Sequence, residues 1–389
     1  MLGELLDNTI DFFNIHFGHQ PTFVAYAPGR INIIGEHTDY NQGLSMPTAI
    51  NRWVTMSVSP TNDNSIHIYS LDYGSDMNFM LHENYAPKSS WEKYVYGCIC
   101  IFDKASPLQN GFNAVIIGDV PIGSGVSSSA ALEVAVMNAL NKLVGSKLDG
   151  FELIKLCQQV EHQFLGVKSG LLDQYASQFS KENQYMILDF QNISHSYIAA
   201  EMHEYEWVLC DTKIQRSLAG SNYSKRVEET NEAIASLKNR FPEIVSFRDI
   251  TLEQVSFLEN EVHKKRIRHY VSENLRVAEA IEALAANDMV TLGNLLLESH
   301  NSLKDDYEVS CPELDFLVTE ALIGDECIGS RMMGGGFGGC TLNLVQKNSV
   351  YDFLIRMSNR YYETFQIESE VNVYQSVDGA GVFVLESDV

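Results

Sequence analysis

Residues 114–144 place the strongest restriction on what this chain can fold into. Ala114-Val-Ile-Ile117 is a short apolar, β-branched run that reads as a buried strand, and Ser129 to Val144 reads as a helix stopped by Gly145. That helix is apolar on nearly every side. With no polar stripe to give to water, it has to lie at the centre of a domain with other elements around it. Strand and helix are joined by Gly118 to Ser128, which contains Pro121-Ile-Gly-Ser-Gly-Val-Ser-Ser-Ser-Ala130. Gly123 and Gly125 permit close backbone approach to a ligand, the run Ser127-Ser128-Ser129 adds hydroxyl donors, and the helix N-terminus supplies free amides and a positive dipole end. This is an anion cradle, most simply for the phosphates of a nucleotide. A glycine turn with a serine N-cap uses the same residues, but three consecutive serines exceed what one cap requires. The Gly-Lys-Ser/Thr of the common phosphate loop is missing.

Around this unit the pattern changes along the chain. Val24 to Ala27, Arg30 to Ile34, Thr55 to Pro60 and Ile66 to Ser70 read as strands of an antiparallel N-terminal sheet. Trp91 to Ala105 has helical spacing, and Phe151 to Leu165 is an amphipathic helix with Leu153, Ile154, Cys157, Val160 and Phe164 on one face. Tyr185 to Phe190 and Trp207 to Cys210 are strand-like, and residues from about 220 to 325 are mostly helical. The last part alternates: Cys340 to Val345 strand, Tyr351 to Thr364 helix, then strands at Val371 to Tyr374 and Gly381 to Leu385. The fold class is α+β. A chain of 389 residues exceeds the roughly 150 residues of one ordinary domain, so length allows two or three; two are expected, 1–200 and 201–389, with the boundary near 190–205.

Charge and cysteine usage remove several classes of function. The net charge of -24, from 51 acidic and 27 basic side chains, repels nucleic acid and anionic membranes over most of the surface. Bound phosphate must therefore be held locally. Seven cysteines without the spacing of a disulfide scaffold point to a reducing, cytoplasmic setting. Cys98-Ile-Cys100 follows no common zinc pattern and reads as helix packing. The first residues are acidic where a signal peptide is basic, and no apolar run approaches the roughly 18 residues of a membrane span.

Four segments carry residues capable of chemistry. Pro28-Gly-Arg-Ile-Asn-Ile-Ile-Gly-Glu-His-Thr-Asp-Tyr40 gathers Arg30, Glu36, His37 and Asp39, which are costly to cluster unless they pair or meet a polar ligand. A solvated hairpin turn is the plainer reading of the same residues. Glu161 stands at the edge of the apolar face of its helix and needs a partner, either magnesium, with a hydroxyl from Ser129, or a buried basic side chain. Asp173, after two leucines and near Gly170, suits a general base or an N-cap for a helix through Tyr175 to Phe179. Met332-Met-Gly-Gly-Gly-Phe-Gly-Gly-Cys340 suggests backbone close to a ligand or another loop, or a flexible connector.

Taken in this order, the segments resemble the GHMP kinases, and within them the galactokinases. Gly29 to Asn41 is similar to the sugar signature, Pro121 to Ala131 to the ATP loop, and Gly334 to Cys340 to the third motif. Similarity continues through Trp91-Glu-Lys-Tyr-Val, Ser221-Asn-Tyr-Ser-Lys-Arg226, Arg268 to Asn274 and Asp305 to Asp315, so it covers most of the chain. The resemblance implies two α+β domains, with a mixed or antiparallel N-terminal sheet and the active site in the cleft between them. It implies that Glu36, His37 and Asp39 bind sugar hydroxyls, with Thr38 between them and Tyr223 adding a contact. It makes Asp173 the base, or the acceptor that orients the anomeric hydroxyl, and sets Arg30 beside it and the transferring phosphoryl group. Gly123, Ser124, Gly125, Val126, Ser127, Ser128 and Ser129 would hold the ATP phosphates, Ser129 and Glu161 Mg2+, while Ser70 and Trp91 match positions near adenine.

The implied reaction is ATP-dependent phosphorylation of galactose at its anomeric hydroxyl, with a small sugar and ATP as partners, no nucleic acid, no membrane and no obligate protein. A sibling kinase for N-acetylgalactosamine or arabinose, and a catalytically silent sugar sensor, are the alternatives. Joint retention of Arg30, Asp173, Ser129 and Glu161 speaks against the sensor. Three departures border the sugar pocket. Ser169-Gly-Leu-Leu-Asp-Gln174 stands where the family usually has Cys-Gly-Ile-Met-Asp-Gln, Tyr223-Ser224 replaces Tyr-Asn, and Ser45 replaces a valine. None removes a reacting group.

Overall fold

The computed structural model describes residues 2–202, 204–214 and 219–385. Met1 and the side chain of Ser221 lie outside the described residues. In chain order the elements are α1 (Leu2–Phe17), β1 (Phe23–Asn32), β2 (Leu44–Ser45), β3 (Pro47–Pro60), β4 (Ser65–Ser70), β5 (Ser75–Met80), α2 (Ser90–Ala105), β6 (Phe112–Gly118), α3 (Ser128–Val144), α4 (Gly150–Val160), α5 (Leu172–Phe179), β7 (Gln184–Asp189), β8 (Ser194–Ala199) and β9 (Tyr205–Asp211). There follow α6 (Ala219–Arg240), α7 (Leu252–Val255), α8 (Glu261–Ala285), α9 (Met289–Asp305), α10 (Pro312–Ala321), β10 (Cys327–Met333), β11 (Cys340–Gln346), α11 (Val350–Phe365), β12 (Glu370–Tyr374) and β13 (Gly381–Val384).

The N-terminal sheet has the order β13-β1-β3-β6-β4-β5. It is mixed, because α2 carries the chain back across the sheet and β6 then runs parallel to β4. The segments read as separate strands, Val24 to Ala27 and Arg30 to Ile34, belong mainly to one strand, β1, with its register against β3 shifting between Pro28 and Arg30. Pro28 has no N–H for the ladder, and the Arg30 N–H donates to the Val126 carbonyl (3.0 Å) instead of to β3. The shift therefore ties the sheet to the loop before α3.

α3 is the central helix its composition demands: Ala130, Ala131, Val134, Ala135, Val136, Met137, Ala139 and Leu140 are all buried. It packs on β1 and β3 from one side and on α2, α4 and α5 from the other. The expected helix over Phe151 to Leu165 is α4, closed at Asp149 by a capping box, and its last turn widens into a π-helical turn over Glu161–Leu165. Asp173 is not an N-cap. Leu171 holds that position, and Asp173 lies in the first turn of α5.

The second sheet has the order β10-β11-β9-β12, with α10 and α11 packed together against one face. The largest core joins Trp207, Leu209, Leu342 and Leu344 to the side chains around α3. A clean division at residue 200 is not what the strands make, since β13 returns to pair with β1 through Phe23↔Val384 and Tyr26↔Gly381. Edge pairing of β1 is completed only by that last segment.

Candidate active site

Five segments meet in one cavity: the end of β1 with the turn after it, the π-helical turn at Glu161, the segment 169–174, the glycine turn between β10 and β11, and Tyr223 from α6. Arg30, Glu36, His37, Asp39, Glu161, Asp173 and Tyr223 all line it, beside Gly334 and Gly335. Glu36 is held from the C-terminal half, where its Oε1 accepts the Gly334 N–H at 2.9 Å and pairs with Arg331 at 3.2 Å. Arg331 is fully buried and also donates to the carbonyls of Asn32 and Ile33.

His37 sits at φ 60°, a left-handed conformation that turns its ring inward. Its Nδ1 lies 2.8 Å from the Tyr40 hydroxyl, which lies 2.8 Å from the Tyr307 hydroxyl, while its buried Nε2 has no partner among the described residues. Burial first, then the neighbouring His269, pushes the imidazole pKa down to about 3, so it is neutral near pH 7. For Asp39 burial first, then Asp173, raises the carboxyl to about 7. Thr38 is a correction. Its hydroxyl is used inside the turn, its one proton facing the carbonyls of Leu44 at 2.7 Å and Gly35 at 2.9 Å with Ser45 Oγ at 2.9 Å, and its side chain is not among the cavity lining.

Asp173 is fixed from two directions. Arg30 Nε and Nη2 approach its Oδ1 at 2.9 and 2.7 Å, and Ser127 Oγ donates to its Oδ2 at 2.5 Å. The third arm of the guanidinium donates to the Gly125 carbonyl at 2.6 Å. Arg30 thus connects the carboxylate to the loop preceding α3.

That loop divides its residues. Ser128 and Ser129 line a second cavity of about 630 Å³ with Ser70, Trp91 and Tyr94, and Tyr73 stacks on Trp91 at 6.1 Å between centroids. Gly123 and Gly125 both adopt positive φ, 81° and 73°. Ser124 and Val126 have their side chains engaged elsewhere. Ser124 Oγ donates to Asp211 Oδ2 at 2.5 Å, and Val126 is fully buried in the core, leaving its backbone alone for a ligand.

Glu161 emerges from the π-helical turn into the first cavity, where Ser169 donates to its carboxyl. Burial, with Asp173 nearby, raises it to about 7 despite that bond. No Lys or Arg among the described residues pairs with Glu161 or Asp39. An oxygen-rich site with carboxylates held above their usual range fits a divalent cation, and magnesium takes such donors. Ser129, which lines the adjoining cavity with Tyr94, could supply a neutral donor. Of the sequence departures, Ser169 acts on Glu161, and Ser45 sits behind the turn, donating to the Gly35 carbonyl at 2.8 Å.

Sequence reasoning missed Arg331, Tyr40, Tyr307, Gln174 and Glu133. Tyr40 and Gln174 adjoin motif residues, and that proximity was the available signal. Glu133 is fully buried on α3, accepts from Gln174 Nε2 at 3.0 Å, and is pushed well up by burial and Glu161.

Three family descriptions match this chain: the GHMP kinases N terminal domain over residues 93–181, the galactokinase galactose-binding signature over 11–60, and GHMP kinases C terminal over 280–363. A galactokinase of Roseiflexus sp. (strain RS-1) is 36% identical over 382 residues, covering 97% of this chain and 96% of that protein. A galactokinase of Chloroflexus aurantiacus is 39% identical over 354 residues, 90% of each. Among solved structures, Lactococcus lactis galactokinase complexed with galactose superposes with a TM-score of 0.91 at 34% identity, covering 97% of this chain and 99% of that one. A mevalonate kinase at 17% identity and TM-score 0.65 shares the fold.

Proposed function

The chain is an enzyme of the galactokinase family, within the GHMP kinases, and we propose that it transfers the γ-phosphoryl group of ATP to the anomeric hydroxyl of galactose. The sugar lies in the first cavity, against Glu36, His37, Asp39 and Tyr223. Neutral His37 offers its free Nε2 to a sugar hydroxyl, and Asp39 accepts from another. The nucleotide lies in the second cavity, its base near Ser70 and Trp91 and its phosphates at Ser128, Ser129 and the N-terminal amides of α3. Two lobes, 1–200 and 201–389, with β13 returned to the first, are the organisation this reading uses.

Asp173 receives the proton of the anomeric hydroxyl as the sugar oxygen bonds to phosphorus and the bond from phosphorus to the β-phosphate oxygen breaks, releasing ADP. Each carboxylate oxygen has acceptor capacity beyond its bonds to Arg30 and Ser127. Arg30 stabilises the charge that develops on the transferring group, without reorganising when it does so. Ser129 and Glu161 would hold magnesium, which when bound supplies positive charge to the phosphates.

One observation carries this reading: the guanidinium of Arg30 bonds both Asp173 and the Gly125 carbonyl, so the acid of the sugar cavity and the phosphate loop share one cation. The test is ADP release over galactose, N-acetylgalactosamine, glucose, arabinose and mannose. Galactose is expected to give the highest kcat/KM. Turnover of another sugar with none of galactose would overturn the substrate.

A further inference from the structure

A second cluster of ligand-type side chains lies on the outer face of the N-terminal sheet. In the β4–β5 hairpin His67 stands opposite Asn78 and Tyr69 opposite Asp76, so His67 and Asp76 are diagonal neighbours on one face. Ile66, Ile68 and Ser70 point the other way, into the core and the nucleotide cavity. Above the hairpin, α1 brings His16 from its last turn. His67 Nε2 lies 2.8 Å from Asp76 Oδ1, and His16 Nε2 lies 3.6 Å from the same oxygen. One ligand atom from each of the three residues falls within 4.8 Å of the others.

We propose that His16, His67 and Asp76 form a surface site for a divalent transition-metal ion of the zinc type, separate from the sugar and nucleotide cavities. Two imidazole nitrogens and one carboxylate oxygen are a donor set that zinc takes with a fourth position left to water. With metal–ligand bonds of about 2.0–2.2 Å, tetrahedral donors stand about 3.3 Å apart; the two separations from Asp76 Oδ1 lie on either side of that value, and the two imidazole nitrogens stand within 4.8 Å of each other. Imidazole ligands favour zinc, nickel or copper over magnesium, which distinguishes this site from the all-oxygen one at Glu161. Aromatic rings set the imidazoles in place: His16 packs on Tyr69 at 4.6 Å and His67 against Phe17 at 5.0 Å between centroids. A hydrogen-bonded His67–Asp76 pair with His16 packed on Tyr69 is the metal-free reading of the same contacts, and the two readings differ in whether zinc binds. A bound ion would fasten α1 to the hairpin.

The test is calorimetric titration of the full chain, stripped of metal by a chelator, with zinc chloride in buffer containing magnesium. One equivalent of zinc is expected to bind. His16→Gln, His67→Gln and Asp76→Asn should each weaken it by at least about 10-fold, the loss typical even of outer-shell changes. Zinc should raise the melting temperature of the parent protein and not of the triple variant. Galactose-dependent ADP release by the zinc-free triple variant, at the parental rate, shows that its fold is intact. Zinc binding that the triple variant retains, or no binding by the parent at micromolar zinc, would overturn the site.

Discussion

Asp39 and His37 stand two positions apart in one turn and respond to pH in opposite directions. Below its ordinary pKa of 3.8 the Asp39 carboxyl is protonated in both folded and unfolded chains; as pH rises towards about 7 only the unfolded chain releases the proton, and stability falls. Asp39→Asn removes that dependence. Its stability relative to the parent, measured by urea unfolding, should therefore increase from pH 4 to pH 7 and level off above. His37 behaves conversely, its ordinary value of 6.5 dropping to about 3 in the fold, so the parent loses stability as pH falls through that range. His37→Gln should gain on the parent as the solution is acidified from pH 6.5. A pH-independent difference in either variant contradicts the assigned burial. Arg30, Glu36, His37 and Asp39 could be picked out in sequence because a short window crowded charges that need partners. Thr38 stands in the same window, yet its hydroxyl closes the turn, a distinction that depends on where Leu44 and Ser45 fold back.

Gly170, in the segment between the π-helical turn and α5, shows how an element shapes the cavity proposed for the sugar. A methyl group there would stand 1.8 Å from Asp39 Oδ2, so Gly170→Ala must displace a side chain and not backbone. Steady-state kinetics should give a galactose KM raised by at least about 10-fold, since small misplacements of binding groups are expensive in catalysis, with the thermal midpoint little changed. An unaltered KM would mean that Asp39 does not contact the sugar. At this scale α3 was readable because an all-apolar helix has only one place to go. The parallel pairing of β4 with β6 was not readable, since strand periodicity is the same for either direction and the choice is made by the α2 crossover. The π-helical turn at Glu161 likewise left no sign in the apolar spacing.

Across the whole molecule, the turn after β1 is fastened to the C-terminal half by the buried pair of Arg331 and Glu36. Arg331→Leu leaves Glu36 without its counter-charge and the Asn32 and Ile33 carbonyls without their Arg331 donor; urea unfolding should show a loss of about 3–5 kcal/mol, the usual result of breaking a buried pair on one side. A loss below about 1 kcal/mol, the worth of an exposed pair, would contradict that burial. The contact joins residues 295 positions apart, which is why no motif announced it. Asp173 is brought to Arg30 across 143 positions and through it to Gly125. The decisive measurement is single-turnover formation of galactose 1-phosphate by Asp173→Asn, with galactose binding measured separately by calorimetry. Loss of proton acceptance should slow the chemical step by about 10²–10⁴-fold while galactose still binds. Product formation at the parental rate would contradict the role given to Asp173.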